Sequence, residues 1–175
     1  MTTTTTTAAR GAATARFWGM ALLGSAVLAA SAQISLPMWP VPATLQTLAV
    51  LLLGALGGSR LGVASVMLYL AEGAMGLPVF AGGAAGLPAL AGPTGGYLLG
   101  FLPAAWIAGQ VGKGALRQAA MLTAAHLALF VPGVAWLAGF VGMERALVAG
   151  FMLFVPGTLV KTALAFATLR AMRRG

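Results

Sequence analysis

The chain has 175 residues, of which 60% are hydrophobic and 7% charged, with a net charge of +8 and no cysteine. Soluble domains carry about 25% charged residues, so a chain this oily cannot clothe a water-facing surface and must have lipid as its main solvent. Disulfides and thiolate metal sites are excluded. The ten basic residues stand singly between apolar runs, unlike the clustered basic face of a nucleic-acid binder.

Residues 1–16 form a Thr-rich polar tail with Arg10 and Arg16, which has nothing apolar to bury and reads as disordered. The first apolar run covers about 17–36. Its two leading arginines and Ala30-Ser31-Ala32 look like a secretory signal, but the run is long and reads as an uncleaved first helix. Proline and tryptophan break it at Leu36-Pro37-Met38-Trp39-Pro40-Val41-Pro42. Runs over about 44–57 and 61–73 follow, separated by Gly57-Gly58. Both are shorter than the roughly 20 residues of a full span.

Residues 74–96 are rich in glycine and proline and carry no charge. The remaining runs cover about 96–112, 115–139 and 146–170, with interruptions expected at Pro103, Pro132-Gly133 and Pro156-Gly157. Interrupted helices in membranes tend to line binding sites. The expected fold is therefore all-α: six transmembrane helices over 17–170, a basic tail over 171–175, and both termini in the cytoplasm. With that orientation the inside segments hold Arg10, Arg16, Arg60, Lys113, Arg117, Arg170, Arg173 and Arg174, and the outside only Arg145. Cytoplasmic enrichment in Lys and Arg is the expected sign.

Lys161 is the remaining basic residue and lies well inside the last apolar run. A cation near the bilayer centre costs about 2.5–3.5 kcal/mol, so it faces a cavity or a partner unless it snorkels to an interface. The only acids are Glu72 and Glu144, both near helix ends, which leaves Lys161 suited to an anionic ligand. Thr158, one helical turn earlier, shares its face; its hydroxyl serves a ligand or its own backbone. In Gly92-Pro93-Thr94-Gly95-Gly96-Tyr97, glycines at a helix entry leave free N–H groups and room for close approach. Thr94 and Tyr97 add polar side chains there, and the alternative is a glycine-packed helix start.

Trp39 and Tyr97 also fit interfacial anchors. Gln46 needs a hydrogen bond if buried. Glu72 reads as an interfacial residue rather than half of a proton relay. His126 is a core residue or an inter-helix donor, with no second ligand at metal spacing. On helix 1 the small residues Ala21, Ser25 and Ala29, with Ala26 and Ala30 beside them, allow close helix approach, either within the bundle or against a partner.

Gly109-Gln110-Val111-Gly112-Lys113-Gly114 lacks both the first glycine and the Ser or Thr of a phosphate loop, so ATP hydrolysis is not expected of this chain. Two acids and one histidine make no convincing catalytic group, and neither enzyme activity nor a cofactor is expected.

Four blocks occur in order: Pro42-Ala43-Thr44-Leu45-Gln46-Thr47-Leu48-Ala49-Val50, Gly76-Leu77-Pro78-Val79-Phe80, Gly92-Pro93-Thr94-Gly95-Gly96-Tyr97, and Pro156-Gly157-Thr158-Leu159-Val160-Lys161. Together they resemble BioY, the biotin-binding S component of energy-coupling factor (ECF) transporters, over about residues 17–170. The resemblance implies a six-helix protein of the prokaryotic cytoplasmic membrane that binds biotin near the extracytoplasmic side. Its implied partners are a transmembrane coupling subunit and two ATPases, or further copies of itself if it works alone. Within the implied pocket Lys161 serves an anionic or carbonyl group, Gln46 and Thr158 the ureido ring, and Trp39 or Tyr97 the ring faces. Thr94 and Gly96 belong to the same pocket. The small-residue face of helix 1 resembles the family's docking surface. Where the family commonly has Pro-Gly-Asp, this chain has Thr158, which leaves Lys161 without its usual acidic neighbour.

Overall fold

The computed structural model describes residues 3–173, with side chains from residue 11 onward. The elements are α1 (Thr3–Gln33), the antiparallel two-residue strands β1 (Ser35–Leu36) and β2 (Ala43–Thr44), α2 (Gln46–Ala74), α3 (Gly86–Ala91), α4 (Gly95–Ala108), α5 (Ala115–Val141), α6 (Met143–Gly150) and α7 (Val155–Met172). The helices are apolar on most sides, because lipid replaces water as the outer solvent and backbone groups must be satisfied within each segment.

α2 is two helices. Gly58 has φ 79° and ψ 165°, a conformation open essentially to glycine alone. A straight helix rising 1.5 Å per residue would hold Gln46 and Tyr69 about 35 Å apart. Instead the Gln46 amide donates to the Tyr69 hydroxyl at 2.7 Å. The two arms lie against each other where glycines leave room: a Cβ on Gly62 would come within 2.9 Å of the Gly54 Cα. The break expected at Gly57-Gly58 is thus a full reversal.

α4 and α5 pack antiparallel through the same device, with Gly96 and Gly100 set against the backbone of Pro132 and Leu129. The α6–α7 segment runs back along α5. Phe130 and Phe151 meet edge to face at 5.1 Å, and His126 Nδ1 lies 2.8 Å from Thr162 Oγ1. The segments Gly11–Gln33, Gln46–Ala74, Ala115–Val141 and Met143–Met172 are long and apolar enough to cross a membrane, and Gly95–Ala108 is a shorter apolar helix. Because Gln46–Ala74 is folded at Gly58, it contributes two short arms rather than one long rod.

The sequence reading needs correction in four places. α1 already begins at Thr3, where a disordered tail was expected; extending an existing helix needs no new nucleus. Pro103 and Pro132 lie inside continuous helices, whereas the last run breaks before Pro156, which sits in the first turn of α7. On α1, Ala21 and Ser25 are fully buried, and Ser25 donates to a Glu72 carboxylate oxygen on α2. Ala29 is half-buried beside them, whereas Ala26 and Ala30 are exposed. The first small-residue set therefore packs on the chain's own α2 and is not free for a partner.

Arg16, Arg60, Lys113, Arg117, Arg170 and Arg173 gather at the end of the bundle away from the β1–β2 turn. The Arg173 guanidinium donates to the Gly112 carbonyl at 2.6 Å, and Arg16 and Arg60 flank one depression. Arg174 lies outside the described residues.

Candidate functional site

At the opposite end, the bundle forms a partly open cavity of about 350 Å³. Four helix segments and one loop supply its wall. The start of α2 brings Gln46 and Thr47, the start of α4 Thr94 and Tyr97, the middle of α5 His126 and Phe130, and α7 Thr158 and Lys161. Phe80 and Pro88, from the glycine-rich segment between α2 and α4, complete it.

Lys161 is the lining cation. Its half-buried ammonium donates to the Thr44 carbonyl at 2.9 Å, which ties α7 to the residue before α2. Neither acid of the chain joins it: Glu72 takes the hydrogen bond from Ser25, and Glu144 is exposed on α6. The charge therefore stays uncompensated by carboxylate, and two of its three protons are left for an acceptor inside the cavity. Thr158 lies one turn away on the same face of α7 and also lines the cavity.

Gln46 is 3% exposed and its polar atoms are engaged. It donates to the Tyr69 hydroxyl and, at 3.5 Å, to the Leu28 carbonyl, while its side-chain oxygen accepts from Thr44 at 3.2 Å. Its role in this geometry is to lock both arms of α2 to α1. Tyr97 likewise spends its hydroxyl on the Gly150 carbonyl at 2.8 Å, so what it offers the cavity is its ring. That ring stacks on Phe154 at 6.4 Å and meets Phe130 edge to face at 6.2 Å. The resulting aromatic wall suits a flat or bicyclic apolar body.

Two expected residues fall outside the lining. Gly96 packs against α5, where a Cβ would come within 2.3 Å of the Trp136 Cβ. It sets the α4–α5 distance and leaves the ligand side to its neighbours. Trp39 is 79% exposed, in the turn between β1 and β2. Its exposed ring fits the reading as an interfacial anchor.

Phe80, Phe130, Phe154 and Thr47 were not singled out from the sequence, yet all line the cavity. A signal existed for Phe80. Gly73 faces it so closely that a Cβ would lie 2.0 Å from the ring, so a glycine seven residues earlier marks its seat. Phe130 and Phe154 carry no local pattern that sets them apart from ordinary core residues. His126 is 1% exposed, with Nδ1 bonded to Thr162 and Nε2 without a partner.

A cavity of this size lies within the range of small-molecule sites, about 300–1,000 Å³. One cation, several hydroxyls and an aromatic wall fit a small anion with an apolar body.

Comparisons with known proteins agree with this picture. The family model described as "BioY family" matches residues 2–175. A "Probable biotin transporter BioY" from Pyrococcus horikoshii is 41% identical over 140 residues, covering 80% of this chain and 85% of the relative. The "Biotin transporter BioY" of Thermotoga maritima is 38% identical over 153 residues, covering 85% and 89%. Among solved structures, the "S-component for biotin from an ECF-type ABC transporter" superposes with a TM-score of 0.80 over 93% of each chain. At 23% identity, that likeness bears on the fold.

Proposed function

This chain belongs to the BioY family, and from that premise we propose that it captures biotin and carries it across the prokaryotic cytoplasmic membrane as the S component of an ECF-type transporter. The observation that carries this reading is the cavity in which Lys161 meets no carboxylate and an aromatic wall faces the remaining space. Biotin matches it piece by piece. Its carboxylate or ureido carbonyl suits Lys161, its bicyclic body suits Tyr97, Phe130 and Phe154, and its ureido ring needs the hydroxyls at the wall. Thr158 and Thr94 are the ligand contacts proposed beside Lys161.

The proposed topology has six spans with both termini inside, which places the basic end of the bundle in the cytoplasm and the cavity near the outer face. The proposed partners are a transmembrane coupling subunit and ATPases, since the chain has no phosphate loop of its own. Ala26 and Ala30, exposed on α1, are the part of its small-residue face left for docking. The proposal is tested by titrating the purified protein with biotin and competing with other small vitamins. Saturable binding that only close biotin analogues displace supports it; no saturable binding rejects it.

A further inference from the structure

Away from the cavity, an open-sided groove of about 520 Å³ runs between α1 and the first arm of α2. Its walls are apolar, with Met20, Leu23 and Val27 on the α1 side and Leu48, Leu52 and Leu56 on the α2 side. Ser31 brings the one polar side chain, and its hydroxyl is spent on the Leu28 carbonyl at 2.9 Å. Met20, Leu23, Val27 and Leu56 are exposed, so the described residues leave the groove uncovered.

One end of the groove runs into a depression that shares Met20, Gly57 and Leu61 with it. Arg16 of α1 and Arg60 of α2 line that depression, and both are exposed. No carboxylate lines it: Glu72 accepts from Ser25, and Glu144 lies on α6. Trp18, exposed two residues after Arg16, fits the aromatic belt of a membrane–water interface and so sets the depression at headgroup depth. From Met20 to Ser31 α1 rises about 16 Å, close to half the roughly 30 Å hydrocarbon thickness of a bilayer. An apolar slot one leaflet deep, with two cations at headgroup level, has the layout of a phospholipid. The groove between α5 and α7 differs: Thr123, Thr158 and Thr162 stand in its wall and no charged residue does.

We infer that the α1–α2 groove holds one anionic phospholipid from the leaflet at the basic end of the bundle, its phosphate between Arg16 and Arg60 and an acyl chain along the two helices. Guanidinium groups bind phosphate oxygens through pairs of parallel hydrogen bonds. Basic pockets between membrane helices take acidic headgroups in the same way. A helix from a partner or a second copy would cover the apolar walls, but it brings no obligatory anion to the two arginines. An acidic lipid brings both halves at once.

The test titrates the full chain, purified in a neutral detergent, with dioleoylphosphatidylglycerol or dioleoylphosphatidylcholine and counts bound lipid by native mass spectrometry. One phosphatidylglycerol should bind about 10- to 30-fold more tightly than phosphatidylcholine, from about fivefold for each arginine. Arg16→Gln combined with Arg60→Gln should abolish that preference. Lys113→Gln combined with Arg117→Gln removes as much charge from the same end, outside the groove, and should keep it. Val27→Trp, at an exposed position, narrows the slot and should weaken both lipids alike. Glycerol phosphate, a headgroup without chains, should not compete. The phosphatidylglycerol preference, lost only with Arg16 and Arg60, upholds the inference. Equal affinity for the two lipids, equal loss in both double variants, competition by glycerol phosphate, unchanged binding in Val27→Trp, or a dimer that excludes lipid each overturns it.

Discussion

The ammonium of Lys161 and the backbone carbonyl of Thr44 lie 2.9 Å apart although 117 positions separate them in the chain. This bond fastens the last helix to the turn that opens α2, and it holds a cation at the cavity wall without neutralising it. A carbonyl supplies a partial charge only, so attraction for an anion survives. Lys161→Ala should therefore weaken biotin binding by about 10- to 100-fold, the range for losing a hydrogen bond to a charged group. Lys161→Arg should retain part of it. Isothermal titration of the purified variants decides, and unchanged affinity in Lys161→Ala removes the residue from the site.

Tyr97 and Trp39 should behave differently from each other. Tyr97→Phe deletes the bond to the Gly150 carbonyl but keeps the ring in the cavity. It should lower thermal stability by about 0.5–1.5 kcal/mol, with little effect on affinity. Trp39→Ala removes an exposed side chain outside the lining, and biotin affinity should stay within about twofold, under 0.5 kcal/mol on the usual scale for surface changes. Melting curves and titrations on the same samples separate the two.

Gly58 has no atom within 4 Å of a would-be Cβ, so space does not forbid a larger residue; its φ of 79° does. Gly58→Ala should destabilise the folded protein by about 1–3 kcal/mol, seen as a lower unfolding midpoint in detergent. An unchanged midpoint would show that the reversal tolerates another backbone conformation.

Gly96→Ala meets the opposite obstacle. Its φ is ordinary, but the added methyl would press on the Trp136 Cβ and the Pro132 carbonyl. Overpacking typically costs about 1–3 kcal/mol, and here it would push α4 from α5 and displace Tyr97 and Thr94. Both stability and biotin affinity should fall, although Gly96 itself does not line the cavity. Loss of affinity with a normal melting point would instead point to direct ligand contact at Gly96.

The helices and their order were legible in the sequence because apolar runs and glycine breaks are local signals. Gly57-Gly58 marked a break between two short runs, and Lys161 stood out because a lone cation in an oily helix is costly wherever it faces. Gln46 was read correctly as needing a partner, but its partner Tyr69 lies on the returning arm, and only the sharpness of the bend brings them together. The prolines misled for a related reason. Pro103 and Pro132 are absorbed into continuous helices by close neighbours, whereas the break between α6 and α7 falls at Phe151, just after Gly150 and ahead of the expected Pro156-Gly157. Small residues at four-residue spacing announced a contact face on α1, but spacing cannot say whether the facing helix belongs to the same chain. Thr47 and Phe130 were invisible because a cavity is a property of several segments at once.

In the proposed six-span topology, the reversal at Gly58 also decides on which side of the bilayer each later part of the chain emerges. Because α2 doubles back, its first and last residues lie at one end of the bundle, and α4 sets out from there. Were the bend straightened into a single crossing, every following segment would be inverted, and the C-terminal arginines would sit opposite those of α1. The pair of angles at one glycine would thus govern which compartment the cavity faces in that topology.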